Sequence, residues 1–353
     1  MLQMRQSLAH REVFLTGREI IPVFGAYLPL HHTGYLVCVQ AGVLADDALR
    51  VVKTPSVMRE KLIRSFAQRA LLHCSVTGEH VLHRQRFDAL KAVHAAVAGN
   101  VFASPSPDRI LEAIHQVGGD KGVLMVIKNY SGDIMNFSMA TELAEMEGYK
   151  VMSVVTRDDV AVPESTYSTG RRGIAGTVFV HKIAGAAAEA GRSLEEVRDV
   201  AQKVIDNTRS MGMAMSPCIL PGVGKPGFVL ADDEIEVGMG IHGEPGVERT
   251  SVKTSKELAE ILCGHILADM DFSGSDCAVM VNGLGGTPLM ELYILTNDVN
   301  ALLREKGINP VRWYVGNYMT SLEMSGCSVS LLRLDDEMKA YLDAPAHTAA
   351  WRE

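Results

Sequence analysis

The clearest hydrophobic patterning begins near residue 99. In SPSPDRILEAIHQV, Ser106 stands at an N-cap position, Pro107 at the first helical position and Asp108 in the first turn. Ile110, Leu111, Ile114 and Val117 then share one face, which predicts an amphipathic helix. GVLMVIKNY is a continuous apolar run ending in polar residues, the pattern of a strand buried on both faces. SGD follows as a turn, IMNFSMATELAEMEGY as a helix and KVMSVVT as a second buried strand. This order is a βαβ unit and predicts parallel pairing under helical cover.

Two helices are predicted next. GIAGTVFVHKIAGAAAEAG is rich in small residues and suited to close packing, and SLEEVRDVAQKVIDNTRSMG opens with the capping box Ser193/Glu196. A second α/β set then reads as strand EIEVGMGIH, helix SKELAEILCGHILADM, strand CAVMVNGLGG, helix TPLMELYILTNDVNALLREKG, and strands VRWYVGNY and CSVSLLRL. The expected fold is α/β, with two α/β domains whose mixed or parallel sheets are covered by helices. The expected divisions are 1–95 as an N-terminal segment of the first domain, 96–200 as the rest of it, and 201–353 as the second. Residues 1–95 themselves show no sustained period of either kind.

Composition adds one contrast. The chain of 353 residues is 47% hydrophobic and 22% charged, with a net charge of -8. That is the profile of a globular protein and argues against a nucleic-acid binder. Residues 1–95 nevertheless hold seven of the 12 histidines, five of the 32 glycines and a net charge of +5, which leaves -13 for the remainder. No run reaches the roughly 18 apolar residues of a membrane span, and the N-terminus lacks the apolar core of a secretory signal. Six cysteines (Cys38, Cys74, Cys218, Cys263, Cys277, Cys327) without a CxxC pair read as reduced thiols, so a cytoplasmic location is expected.

Five clusters carry candidate chemistry. KNYSGD places Lys128 and Asp133 where a strand gives way to a helix, a common place for catalytic groups in α/β sheets. Asp133 is either a general base or only a helix N-cap. GMGIHGEPGVER surrounds His242 with glycines, which suits a backbone that turns sharply or approaches a ligand. His242 is then a base or nucleophile, or a surface histidine with its hydrogen bond satisfied. NGLGGT precedes a helix and reads as an anion-binding helix start or a structural turn. In TGRRGIAGT, Arg171 and Arg172 read as contacts to phosphate or a partner, or as a solvated helix start. GEH, with His80 and nearby His83, lacks metal-ligand spacing. The chain contains no P-loop.

FASPSPDRI, GVLMVIKNYSGDIMNF, TGRRGIAGT, GKPGFVLADDEIEVGMGIHGEPGVER, VNGLGGTPLMELY, MTSLEMSGCSVSLLRLDDE and DAPAHTAAW occur in order. Together they resemble the K (dihydroxyacetone-binding) subunit family of dihydroxyacetone kinase over about residues 96–353. The resemblance implies a phosphotransferase subunit of glycerol metabolism. His242 matches the histidine that holds dihydroxyacetone as a hemiaminal, and Asp133 the carboxylate that binds the substrate hydroxyl and helps draw off its proton. Lys128 and Ser104 match substrate-binding positions. No cofactor is expected on this chain: the adenine nucleotide and magnesium are expected on a partner L subunit, with a phosphotransferase relay subunit as a further partner. A homodimer, no metal, no nucleic acid and no membrane complete the expectation.

One departure stands out. The family has a segment of the form GGGSGHEP upstream of ASPSPD, with a second histidine that acts as a proton acceptor. No such segment occurs here. His80 falls near its place by ungapped counting, but the flanking CSVTGEHVLHRQ does not match and no role is carried over. Three accounts of residues 1–95 stay open: an out-of-frame product, a divergent natural replacement, or a paralogue that binds the ketone without phosphorylating it. The last gives the alternative function of a non-catalytic regulator or co-activator.

Overall fold

The computed structural model describes residues 95–163, 170–220 and 224–346. His80, His83, Cys38 and Cys74 lie outside the described residues, as do Thr169 and the end of the DAPAHTAAW tail. In chain order the described elements are α1 (Pro107–Val117), β1 (Val123–Lys128), α2 (Ser131–Met146), β2 (Val151–Thr156), α3 (Thr177–Glu189), α4 (Leu194–Asp206), β3 (Thr208–Ala214), β4 (Glu234–Val237), β5 (Glu248–Ser251), α5 (Ser255–Asp269), β6 (Asp276–Gly283), α6 (Leu289–Glu305), β7 (Asn309–Gly316), β8 (Gly326–Arg333) and α7 (Asp336–Leu342).

The strands form two sheets. β1 and β2 pair in parallel, Val123 opposite Val151 through Lys128 opposite Thr156. The other six strands run in the order β5-β4-β3-β8-β6-β7. This sheet is mixed: β6 and β7 are parallel, while β3–β4, β4–β5, β3–β8 and β6–β8 are antiparallel.

Strand periodicity sorts the side chains into three apolar layers. Val123, Met125 and Ile127 of β1 join α1 and α2 through Ile110, Ile114, Phe137 and Ala140. Leu124 and Val126, on the opposite face, join α3 and α4, and so do Ala278 and Met280 of β6 and Leu332 of β8. The alternate residues Val279, Val281, Val329 and Leu331 pack on α5 and α6. Helices α3 and α4 are therefore filling between the two sheets. That placement explains why α3 is buried along nearly its whole length and is built from small residues.

The ends of several elements differ from the sequence expectation for identifiable reasons. The capping box at α4 is present, with the Ser193 hydroxyl accepting from Glu196 N–H and the Glu196 carboxylate accepting from Ser193 N–H. Ser106 occupies the N-cap of α1 in extended conformation, yet its hydroxyl makes no capping bond. Ser131-Gly132-Asp133 is the first turn of α2 and not a preceding turn, because the extended residue at its N-cap is Tyr130. α3 starts at Thr177, since the N–H groups of Ile174 and Gly176 are both taken by the Asp158 carboxylate at 2.9 Å. The expected strand 234–242 stops at Val237, where Gly238 adopts φ +78° and turns the chain.

The two sheets are joined where the chain leaves β2. Ser210 N–H donates to Asp158 C=O at 2.7 Å and Val160 N–H donates to Ser210 C=O at 2.9 Å, a parallel bridge onto β3. Away from this junction, Phe179 ties α3 to the far edge of the larger sheet, with its ring 5.8 Å from that of Tyr314 on β7. Phe179→Ala should lower unfolding stability by about 3–5 kcal/mol through the cavity it leaves. A fall in the urea midpoint, with the far-ultraviolet dichroism of the folded state unchanged, is the expected outcome.

Candidate functional site

The ends of three elements meet at the edge of this junction. β1 delivers Lys128 and Tyr130, α2 delivers Asp133, and the long β4–β5 connection delivers His242. The loop before α1 adds Phe102 and Ser104. The Tyr130 and His242 rings lie edge to face, with centroids 4.9 Å apart, and Phe102 packs on the same imidazole at 5.1 Å. Phe102 adopts φ +55°, a conformation costly for a residue with a side chain and kept only where surroundings over-determine it.

His242 is held by its own turn. Its side chain is 10% exposed. Nδ1 lies 3.0 Å from Glu244 Oε1, and the His242 backbone N–H donates to Glu244 Oε2. An ionised carboxylate only accepts, so Nδ1 carries the proton and the neutral ring presents its lone pair at Nε2. Burial pushes the His242 pKa down; Glu244 opposes this, and the charges of Lys128 and Arg172 add to it. For Glu244, burial works against ionisation but is outweighed by the His242 hydrogen bond, by backbone bonding and by Arg172, so the carboxyl lies below its usual range. The pair therefore consists of a neutral imidazole and a carboxylate. The alternative of a surface histidine does not describe this residue.

Asp133 is 2% exposed and sits in the first turn of α2. Its pKa is raised, with burial as the main cause, opposed by the Ser104 hydroxyl and the charge of Lys128. Its Oδ1 is buried without a hydrogen-bond partner. Gly132 permits this approach, because a Cβ there would stand 2.6 Å from Ser104 Oγ. Lys128 is 1% exposed, and its Nζ lies 5.5 Å from the centre of the Tyr130 ring, a cation–π distance. The structure thus groups Lys128, Asp133 and Ser104 at the β1–α2 end and sets His242 against Tyr130, with Lys128 exerting its charge on both Asp133 and His242.

The other candidate clusters resolve differently. Around NGLGGT, Leu284 N–H and Gly286 N–H donate to Gly326 C=O and Met324 C=O, and the Thr287 hydroxyl also bonds Gly326, so this is a structural turn. Arg171 forks onto Asp269. Arg172 is buried against Asp159, with Nε to Oδ2 at 2.8 Å, and donates from Nη2 to Gly238 C=O at 2.8 Å. Neither arginine is a solvated helix start. Among the described residues, no group of three or more His, Cys, Asp or Glu is placed to hold a metal ion, and no helix is long and apolar enough to cross a membrane.

Sequence reasoning left Phe102, Tyr130, Glu244 and His181 out of the site. Glu244 and Tyr130 stand inside the quoted motifs, and the two-residue step from His242 to Glu244 was a readable signal. His181, on α3, had none: it is fully buried and neither ring nitrogen has a hydrogen-bond partner.

The Dak1 domain family model matches residues 89–350, and the chain belongs to that family. Among its relatives is the dihydroxyacetone-binding subunit DhaK of a PTS-dependent dihydroxyacetone kinase from Listeria innocua, 51% identical over 259 residues, covering 73% of this chain and 79% of the relative. The corresponding subunit of the PEP-dependent kinase from Escherichia coli is 40% identical over 304 residues, covering 79% and 82%. Among solved structures, the dihydroxyacetone kinase operon co-activator Dha-DhaQ superposes with a TM-score of 0.73 at 31% identity, over 92% of both chains. The dihydroxyacetone kinase of C. freundii gives 0.71 at 32% identity, over 91% of this chain and 52% of that one.

The site's histidines make stability depend on pH. Burial, helped by the charge of Lys128, drops the His181 pKa from 6.5 to about 3. The unfolded chain then binds this proton first, so its contribution is present above pH 6.5 and is lost as pH falls toward 3, at ~1.4 kcal/mol per pH unit. His181→Leu should flatten the stability profile between pH 6.5 and 4, as read by urea midpoints at each pH. A slope equal to wild type would contradict the assignment.

Proposed function

We propose that this chain is the dihydroxyacetone-binding subunit of a dihydroxyacetone kinase and holds its ketone covalently on His242. The observation that carries the reading is the setting of that ring: its side chain is 10% exposed and Nδ1 lies 3.0 Å from the Glu244 carboxylate, which ties up that nitrogen and leaves the Nε2 lone pair for an electrophile. Family membership and the DhaK relatives supply the substrate class.

In the proposed chemistry, the Nε2 lone pair adds to the carbonyl carbon and the C=O pair moves onto oxygen. The oxygen takes one proton, from Lys128 or solvent, and the ring gives up its Nδ1 proton to the Glu244 carboxylate. The adduct is a hemiaminal, and one proton is lost and one gained. A three-carbon ketose offers little surface for non-covalent affinity, so a covalent bond adds both holding power and selection for a carbonyl. The bond also fixes a terminal hydroxyl beside Asp133. That carboxylate, with its pKa raised by burial, accepts the hydroxyl proton as the oxygen attacks a phosphoryl group. The phosphoryl donor belongs to the partner L subunit, with adenine nucleotide and magnesium bound there and a phosphotransferase relay behind it. Two copies of this chain form the working unit in the cytoplasm.

His242→Ala should abolish turnover of dihydroxyacetone in the presence of the L subunit and donor, and should remove the adduct seen with [2-13C]dihydroxyacetone by NMR. Asp133→Asn should keep the adduct while lowering kcat by about 10²–10⁴-fold, the usual weight of a general base. An Asp133→Asn protein with wild-type kcat would remove Asp133 from the proton-transfer role.

A second reading is favoured by one observation: the Dha-DhaQ co-activator superposes as well as the kinase does, and over nearly its full length. Here the chain would bind the ketone and regulate rather than phosphorylate. Mixing the chain with an active L subunit and donor separates the two. Dihydroxyacetone phosphate is the outcome expected of the kinase subunit, and adduct without product is that expected of the regulator.

A further inference from the structure

We infer that Arg172 is a positioning residue, which, clamped by Asp159, seats the Glu244 carboxylate against the Nδ1 edge of His242. The inference rests on the proposed reading of His242 and adds the layer behind it.

The Arg172 side chain is 10% exposed and that of Asp159 1%. Nε and Nη2 both lie 2.8 Å from Asp159 Oδ2, and Nη2 also donates to the carbonyl of Gly238. Asp159 belongs to the bridge between the sheets, where its Oδ1 also accepts from Ala161 N–H at 3.0 Å. Gly238 is the residue at which the His242 turn departs from β4. One guanidinium therefore ties the origin of the His242 turn to the sheet junction.

Its third nitrogen reaches further into the turn. A Cβ on Gly240 would stand 2.1 Å from Glu244 Oε2 and 2.6 Å from Arg172 Nη1. Carboxylate and guanidinium thus share the space beside Gly240, and that space exists because residue 240 has no side chain. Glu244 is also bound back to Gly240 through Gly240 N–H to Glu244 C=O at 3.2 Å. The charged groups acting on His242 are Glu244 from its own turn, Lys128 from β1 and Arg172. Among the described residues, only Glu244 bonds the ring. The Arg172 cation beside Glu244 adds to the hydrogen bonds that favour its ionised form, a pure acceptor, and an acceptor at Nδ1 forces the tautomer with a free Nε2. A histidine side chain in water prefers the opposite tautomer, with the proton on Nε2. The turn must therefore hold its carboxylate in place for Nε2 to be the nucleophile.

The full-length chain labelled with [15N]histidine tests this without any ketone. Imidazole 15N–1H correlation spectra report which nitrogen of His242 carries the proton, with His242→Ala providing the assignment. Wild type should show the Nδ1–H form. Arg172→Gln should show a mixture containing Nε2–H, and its dissociation constant for [2-13C]dihydroxyacetone should rise at least about tenfold, the weight of one charge-assisted contact. Gly240→Ala, whose Cβ fills the shared space and pushes both the carboxylate and the guanidinium from it, should shift both readouts the same way. Arg172→Lys, which keeps the charge without the fork, should fall between wild type and Arg172→Gln, and it stands in for Arg172→Gln should that protein fail to fold. Wild-type tautomer and adduct affinity in Gly240→Ala and in the folded Arg172 variant overturn the inference, as does lowered thermal stability with both readouts unmoved. A wild-type chain that shows the Nδ1–H tautomer but forms no ketone adduct instead defeats the proposed function and leaves the positioning role standing.

Discussion

The contact on which this molecule depends is the short parallel exchange between Asp158–Val160 and Ser210. It ends the chain's course along the smaller sheet and registers it on the larger one. Everything at the candidate site hangs from one side or the other of that joint. Lys128, Tyr130 and Asp133 belong to the β1–α2 side. His242 belongs to a turn of the larger sheet, anchored by Gly238 N–H to Gly212 C=O at 2.7 Å on β3. Asp158 and Asp159 sit on the joint itself and use their carboxylates in two directions, Asp158 to fix the start of α3 and Asp159 to hold Arg172. A shift of the joint would move the imidazole relative to Lys128 and Asp133 together.

This arrangement puts an unusual amount of polarity inside. Lys128, Asp133, Asp158, Asp159, Arg172 and His181 are all buried. Burying charge is costly unless it is paired and hydrogen-bonded. Asp158 and Asp159 meet that requirement through backbone N–H groups and Arg172. His181 and Asp133 Oδ1 do not. Unsatisfied buried groups of this kind cluster where a structure serves a ligand more than its own stability. The fold accommodates them because the apolar layers on both sheets are extensive and continuous through α3 and α4.

The sequence was most legible where structure is local. The continuous apolar run of β1, the capping box at Ser193 and Glu196, and the helix opening at Pro107 each depend on residues within a few positions of one another, and each appears close to its expected place. Where a distant partner intervenes, local patterning fails. The start of α3 is delayed by Asp158, 16 residues upstream of Ile174. The strand from Glu234 stops at Gly238 because its backbone turns there to meet Arg172, 66 residues away. The site divides in the same way. His242, Asp133, Lys128 and Ser104 come from runs that carry a motif. Phe102 opens the same FASPSPDRI run as Ser104, but it reaches the imidazole through a left-handed backbone angle no local pattern announces, and His181 enters through a contact between layers. The arginine pair was visible as a pair, but whether it faced solvent or an acid depended on Asp159 and Asp269, which only the fold brings to it.

Burial shifts His242 and Asp133 in opposite numerical directions toward the same result. The histidine is pushed down and the carboxylic acid up, so each is moved toward its neutral form. Lys128, lying between them in its influence, presses both toward an unprotonated state: it disfavours an imidazolium and favours a carboxylate. The outcome is a ring with a usable lone pair and a carboxylate whose basicity burial has increased. These are the requirements for adding nitrogen to a carbonyl and then taking a proton from the hydroxyl next to it, in that order. The first step needs no phosphoryl donor, and all the side chains assigned to it lie on this chain. The second becomes productive only when an acceptor for the hydroxyl oxygen arrives. The proposed division of labour between subunits follows that chemical boundary: on that proposal this chain would prepare and hold the nucleophile, and the partner would supply its acceptor.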